Sequence, residues 1–442
     1  MLKSISDRIN SVRKSSLVRG SGTTFILRSF GFFLGYLFII LVSRLYGADA
    51  VGVFSLATTV LLMFTIIGKM GTDTAIVKYI SNFLVAQNHN AVKGLYQTVL
   101  KLIFTSGIFL SLILFFCADP IALYVFKKTQ LTLPFRISAF ALLPMMLRFV
   151  NSEVYRGYGM IAVYAYAQHV SYFLYALVLL GAGSLFFNNE HLPIIAYSAG
   201  LILLTISGTW LVKKRILSKA SFPINEISAK QLLQTSLPMM LSSSLLLISG
   251  WLNTILLGIY ANETEVGIFS VALKIATFTS FVLMSVNSVT GPRFATAFHN
   301  EDFKALRNHS IKAAQLNFYA SLPVFVLIII FNKFILSLFG NEFTTGSFIL
   351  LILLAGQVIN NFAGAVGTFM NMTGNEKIFQ RIVLLCTVIN CFLCIFLIPE
   401  YGMTGAAIAS SFYMILWNVT TAIYIYRKYK IAMWFNPFAK II

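Results

Sequence analysis

Apolar segments of about 20 residues follow one another from residue 25 to residue 426, and the turns between them are short. Such a run is long enough to cross the roughly 30 Å hydrocarbon core of a bilayer as a helix. Inside that core every backbone N–H and C=O must be satisfied by the chain itself, so only helices and closed barrels span it. Strand-period alternation is absent, which disfavours a barrel. Twelve segments qualify, about 25–45, 50–70, 97–118, 137–157, 161–187, 193–212, 234–259, 265–290, 314–337, 346–370, 379–398 and 403–426. With 58% hydrophobic residues, 41 Phe and only 11% charged residues, the chain cannot assemble a water-facing surface, and little of it remains for a soluble catalytic domain. The expected fold class is an all-α integral membrane protein.

Val51-Gly52-Val53-Phe54-Ser55-Leu56-Ala57 returns as Val266-Gly267-Ile268-Phe269-Ser270-Val271-Ala272, with five identities and two aliphatic exchanges at an offset of 215. Self-similarity at a fixed period has architectural meaning. Ser21 and Ser236, and Gly159 and Gly374, match at the same offset but are weak signals alone. Six spans per half is an even number, so both halves enter the membrane from one side and form a parallel repeat. The expected organisation is a six-helix bundle over 1–212, a linker over 213–230 and a second six-helix bundle over 231–442.

Basic residues orient the chain. With both termini cytoplasmic, the outer segments hold only Arg44, Lys127, Lys128, Arg136 and Lys333, and Lys274 lies within a span; the rest of the 33 Lys and Arg fall on the inner side. This is the positive-inside pattern, while the outer turns carry Glu190, Glu263, Glu265 and Glu400. The net charge of +19 thus reports topology and attraction to an anionic inner leaflet, and no nucleic-acid face is formed. At the start, Leu2, Ile5, Ile9 and Val12 recur at helical spacing among Lys3, Arg8, Arg13 and Lys14, the pattern of a helix lying in the headgroup plane. A cleavable signal peptide fits less well, because the apolar stretch after Arg28 is too long and lacks an Ala-x-Ala site.

Enzyme chemistry, a cofactor and a metal site find no support. The five histidines fall in loops or singly, and Cys391-x-x-Cys394 with Cys386 sits inside an apolar span without a second pair, as expected of packed or lipid-facing thiols. Gly20-Ser21-Gly22 lacks the preceding strand and later glycine of a phosphate loop.

Charges placed where the bilayer penalises them are more informative. Lys274 stands eight residues beyond Val266, about 12 Å into the membrane at 1.5 Å per residue. An ionised lysine at a helix centre costs about 3 kcal/mol on insertion scales and tends to face water or a partner; snorkelling to the outer headgroups is the alternative. Arg28, in the first turns of span 1, faces either a lumen or the inner interface. On span 4, Glu153 and Arg156 are three apart and suited to pairing on one face, with Arg148 deeper and available to substrate. Glu153 is the one candidate proton or sodium carrier. The cationic bias suits a phosphate or pyrophosphate group, which arginine grips with paired hydrogen bonds. Tyr155 and Tyr158 offer faces and hydroxyls for sugars, against a competing role in helix packing. Asp73 and Lys78 are expected at the inner end of span 2 and in the following loop, and Arg44 as an outer interface anchor.

Twelve spans in parallel halves, a basic amphipathic start, Arg19-Gly20-Ser21-Gly22 before span 1, Ser43-Arg44-Leu45-Tyr46-Gly47 followed by Val51-Gly52-Val53-Phe54, and the second Val266-Gly267-Ile268-Phe269 together resemble the polysaccharide-transporter branch of the multidrug/oligosaccharidyl-lipid/polysaccharide exporter superfamily. The likeness covers nearly the whole chain and resides in the order of degenerate motifs. It implies a V-shaped, MATE-like pair of six-helix bundles with a cationic cavity, to which Lys274 and Arg28 fit best. It further implies a Wzx-type flippase of the bacterial inner membrane, moving undecaprenyl-pyrophosphate-linked O-antigen, capsule or exopolysaccharide units and working beside polysaccharide polymerase machinery. A lipid II or teichoic-acid precursor flippase shares nearly every feature. A multidrug exporter is disfavoured by the scarcity of acidic residues in the spans, and a polymerase or ligase by the short outer segments.

Overall fold

A computed structural model describes the backbone of residues 2–187, 189–219, 222–224 and 226–436, with side chains of these described from residue 23 onward except at 219, 241–243 and 246. The amphipathic face expected around Leu2 to Val12 lies outside the described side chains. The described residues are mostly helical, with no strand among them. In chain order the helices are α1 (Leu2–Lys69), α2 (Thr72–Val85), α3 (His89–Phe116), the single turn α4 (Ala118–Pro120), α5 (Thr132–Gly157), α6 (Ile161–Ala165), α7 (Ser171–Ser184), α8 (Leu192–Arg215) and α9 (Ala229–Tyr260). They continue as α10 (Glu263–Phe278), α11 (Ser280–His299), α12 (Phe303–Ile330), α13 (Asn332–Ser337), α14 (Ser347–Ala363), α15 (Val366–Met372) and α16 (Glu376–Tyr429).

Among the described residues, nine helical segments are long and apolar enough to cross a membrane. Two of these are double spans. α1 breaks at Gly47 (φ 80, ψ −176) and α16 at Gly402 (φ 51, ψ −131), backbone conformations that only glycine adopts without strain. The N–H group after each break has lost its helical acceptor and is capped by a glutamate: Ala48 N–H donates to Glu342 Oε1 at 2.6 Å, and Met403 N–H to Glu265 Oε2 at 3.0 Å. With the two halves of α1 and of α16 counted separately and α9 added, the twelve expected spans are present.

The chain forms two compact units, Met1–Val42 with Ala57–Ser244 and Ser43–Leu56 with Leu245–Ile442. In the first unit, Tyr96 of α3 donates to Asn151 Oδ1 of α5 at 2.7 Å, and Asn151 Nδ2 donates to Thr209 of α8 at 2.8 Å, a buried polar tie across three helices. The segment holding Asp73 and Lys78 is a helix, α2, where a loop was expected. The chain reverses at Met70 and Gly71, both left-handed, and a Cβ at Gly71 would lie 2.1 Å from the Ser236 carbonyl oxygen. Thr72, Ala75, Ile76 and Ile80 then bury one helical face. The linker after α8 is fastened to the start of α3: Ile224 N–H donates to the Asn90 carbonyl at 3.0 Å and Asn88 Nδ2 to Glu226 Oε1 at 2.5 Å.

In the second unit the two copies of the repeated heptapeptide lie against each other. A Cβ at Gly52 would stand 1.9 Å from the Glu263 carbonyl oxygen, and one at Gly267 would stand 2.1 Å from the Ala48 carbonyl oxygen. These contacts are one contact seen twice, since Ala48 and Glu263 are themselves related by the repeat. Asp49 and Thr264, another related pair, hydrogen-bond directly to each other. The repeat thus marks a local two-fold crossing in which each helix presents a glycine to the other's backbone. Beyond it, Arg44 donates to the carbonyls of Ser337 and Leu338 at 2.6 and 2.8 Å, satisfying the end of α13. Buried amides link α11, α14 and α16: Ser280 donates to Gln357, Asn360 to Gln357 and Asn418 to Asn360, at 2.7, 3.2 and 3.1 Å. Cys386 and Cys394 are buried, and the Cys394 thiol donates to Asn253 Oδ1 at 2.9 Å, a packed thiol.

Candidate functional site: a cationic cluster in the first unit

Between α6 and α7 the helix widens into a π turn, Tyr166–Val170. It is held from α5. Arg148 Nη1 donates to the Gln168 backbone carbonyl at 3.1 Å, while Ser152 donates to the Gln168 side-chain oxygen at 2.8 Å, so one residue of the turn is held at both its main chain and its side chain. Widened turns of this kind recur at functional sites. Arg148 lies nine residues from the end of α5, about 14 Å along the axis, and is only 6% exposed. Its guanidinium stacks 4.4 Å from the Tyr172 ring and 4.7 Å from the Phe149 ring, an arrangement that suits a weakly hydrated planar cation. Among the described residues its Nε has no hydrogen-bond partner.

His169, on the same π turn, joins this arginine. Its Nε2 is buried without a hydrogen-bond partner among the described residues, its ring meets Tyr164 edge-on at 6.5 Å, and the charges of Arg28 and Arg148 both reach it. The close approach is possible because Gly31 of α1 faces the His169 carbonyl, where a Cβ would stand 2.4 Å from the oxygen. Gly35 repeats the device one turn later against Phe173. α1, α5 and the π turn therefore bring Arg28, Arg148 and His169 together beside Tyr164 and Tyr172.

The expected pair on α5 forms, with Arg156 Nε 2.9 Å from Glu153 Oε2. Glu153 is buried, and the neighbouring Lys69–Asp73 pair, at 2.5 Å, lies close enough for both its charges to act on it. Phe149 is shared, with Lys69 at 4.3 Å and Arg148 at 4.7 Å from its ring centre. Tyr155 is 4% exposed within the helix packing, whereas Tyr158 is half-buried at the end of α5. Lys274 sits in the second unit on α10, half-buried between the buried pairs Val271–Ala272 and Ile275–Ala276.

Sequence reasoning missed His169 and Gln168, because the histidines were set aside as isolated. The available signal was that Gln168-His169 interrupts the apolar span 161–187 about two turns into it. Which helix face they take, and that Arg28 and Arg148 converge on it, depends on the π turn.

Comparison with known proteins agrees with this architecture. The chain is similar, at 24% identity over 399 residues covering 89% of it and 80% of the relative, to a probable low-salt glycan biosynthesis flippase, Agl15, of Haloferax volcanii. It is 24% identical to the capsular polysaccharide biosynthesis protein CapF of Staphylococcus aureus over 203 residues, 45% of this chain and 50% of that one. Its fold matches an inward-facing multidrug resistance MATE family transporter with a TM-score of 0.77 at 16% identity, over 92% of this chain and 98% of the other. The lipid II flippase MurJ in an inward closed conformation matches with a TM-score of 0.72 at 14% identity, over 92% and 87%. A MatE family model matches residues 238–396. The model for polysaccharide biosynthesis proteins matches residues 17–298, more than half of the chain, and the protein belongs to that family, in the polysaccharide-transporter branch of the multidrug/oligosaccharidyl-lipid/polysaccharide exporter superfamily.

Proposed function

We propose that this multi-pass membrane protein of the exporter superfamily is a flippase that moves an undecaprenyl-pyrophosphate-linked oligosaccharide across a bacterial inner membrane, with both termini cytoplasmic. The observation that carries the reading is the cluster of Arg28, Arg148 and His169, built around an arginine held inside the membrane at 6% exposure. A buried cation is expensive in a bilayer and marks a substrate pathway by default. Arg148 spends one Nη on Gln168 and stacks on Tyr172, which orients the guanidinium as a fork suited to phosphate oxygens. In this reading Lys274 serves as a second cationic station, on the other unit, and Tyr158 with Arg156 contacts the sugar hydroxyls.

The pyrophosphate and sugars take the hydrated path while the polyprenyl tail stays in lipid. Alternating access follows from rocking of one repeat against the other, the usual motion of parallel repeats. An anionic headgroup moving outward gains about 2.3 kcal/mol per charge per 100 mV of inside-negative potential. Voltage then suffices to drive export, with no covalent step and no nucleotide. The relatives' printed functions, a glycan flippase and a capsule biosynthesis protein, support a glycan cargo over a drug.

The test is reconstitution into liposomes with a fluorescent undecaprenyl-pyrophosphate oligosaccharide under an imposed voltage. Protein-dependent translocation is expected, reduced at least tenfold in Arg148→Gln and weakened in Arg28→Ala and Lys274→Ala, with insertion intact. Translocation unaffected by all three removes the site; none with any lipid-linked sugar removes the function. Coupling through Glu153 predicts that Glu153→Gln alters the pH or sodium dependence of transport; an unchanged dependence excludes it as the carrier.

A further inference from the structure

α11 and α12 form a helical hairpin through Asn300–Asp302, and a cleft of about 250 Å³ opens between them. Three basic residues line it: Arg293 from α11, and His309 and Lys312 from α12. Arg293 lies six residues before the end of α11 and His309 six residues after the start of α12, so both sit about 9 Å from the turn at 1.5 Å per residue. Among the described residues no carboxylate lines the cleft. The acidic charge that reaches His309 is Asp302, and its side chain is occupied in capping α12, accepting the Ala305 N–H at 2.8 Å.

The rest of the cleft is of a different character. Ser285 and Thr290 place hydroxyls along the α11 wall, and Val289 and Leu316 complete an apolar flank that is exposed rather than covered by protein. A cationic end at headgroup depth that runs into an exposed apolar lane matches the two ends of one amphiphile. Basic pockets between membrane helices hold anionic lipid headgroups by this means, and arginine with lysine supplies both a fork and a mobile point charge for phosphate oxygens. We propose that the α11–α12 cleft is a binding site for the phosphodiester headgroup of an anionic phospholipid, with Arg293 and Lys312 on the phosphate and an acyl chain along Val289 and Leu316. The site lies wholly in the second unit and stands independently of the transport reading.

The experiment is native mass spectrometry of the full-length protein in neutral detergent, titrated with phosphatidylglycerol or phosphatidylcholine. Phosphatidylglycerol is expected to bind in preference, and Arg293→Gln/Lys312→Gln to lower its affinity about 25-fold, taking about fivefold for each charge. Both side chains are exposed, so the variant should fold. Lys304→Gln/Arg307→Gln removes the same charge from the first turns of α12 outside the cleft and should retain the preference. Equal losses in the two double variants would reduce the effect to diffuse attraction and overturn the site, as would an unchanged affinity in the first. Displacement of the lipid by equimolar inorganic phosphate would identify a free-anion site instead.

Discussion

Alanine at Gly267 sets two well-defined effects against each other. In a helix interior alanine is favoured over glycine by about 1 kcal/mol, so a glycine that touches nothing should gain stability when replaced. Gly267 touches a great deal: its Cβ would stand 2.1 Å from the Ala48 carbonyl oxygen and 3.1 Å from the Gly52 backbone nitrogen, both main-chain atoms that no rotamer change can move. Reaching even a 3.0 Å contact requires the crossing helices to part by about 1 Å, and overpacking of this kind costs roughly 1–3 kcal/mol. Gly52→Ala makes the mirror-image contact at 1.9 Å from the Glu263 carbonyl. Gly250 on α9 has nothing within 4 Å and serves as the control. Reversible unfolding of the purified protein in mixed micelles should place Gly267→Ala and Gly52→Ala below wild type and Gly250→Ala at or above it, a separation of about 1–3 kcal/mol, since the propensity gain is common to all three and only the overpacking differs. The double variant Gly52→Ala/Gly267→Ala should be less destabilised than the sum of its parts, since one retreat of the helices makes room for both methyl groups. A Gly267→Ala protein as stable as Gly250→Ala, or additive losses in the double variant, would refute the reciprocal crossing.

Other consequences follow from single contacts. Gly402→Ala should destabilise by about 1–3 kcal/mol from backbone strain alone, and more because its Cβ would meet the Glu265 carboxylate at 2.3 Å; the same unfolding assay reads it. Glu265→Gln should cost about 1–2 kcal/mol by weakening the charge-assisted bond to the Met403 N–H. Arg148→Lys keeps the charge but loses the stacked fork on Tyr172, so transport should fall while surface expression holds, and full activity in the lysine variant would show that a point charge suffices. Gly31→Ala should push α1 from the π turn and reduce transport without touching any ionisable group, because its Cβ would lie 2.4 Å from the His169 carbonyl oxygen.

Not every repeated feature is visible as repeated letters. Gly159 and Gly374 match at the offset of 215, and both prove to be left-handed turn residues, with φ of 72 and 71. Gln87-Asn88 before α3 and Glu301-Asp302 before α12 share no residue, yet each pair places a left-handed residue ahead of an N-cap that accepts the N–H three positions on, from Ala91 and Ala305. The helix start is preserved through chemistry, since glutamine and glutamate tolerate the same backbone here and asparagine and aspartate present the same acceptor oxygen.

By itself the sequence determined the membrane helices, their number and the duplication, because these depend on local quantities: the length of an apolar run, its sign of flanking charge and a heptapeptide seen twice. The Glu153–Arg156 pair was legible for the same reason, being three residues apart on one helix. Only the tertiary structure decided that residues 43–56 pack with the second unit, that Gly52 and Gly267 meet across one crossing, and that Asp73 begins a helix. It also decided that His169 belongs with Arg28 and Arg148, although 141 residues separate it from the first. Such contacts carry no periodicity along the chain. They arise from which backbone carbonyl a π turn offers to an arginine, and from how closely two helices approach where both present a glycine.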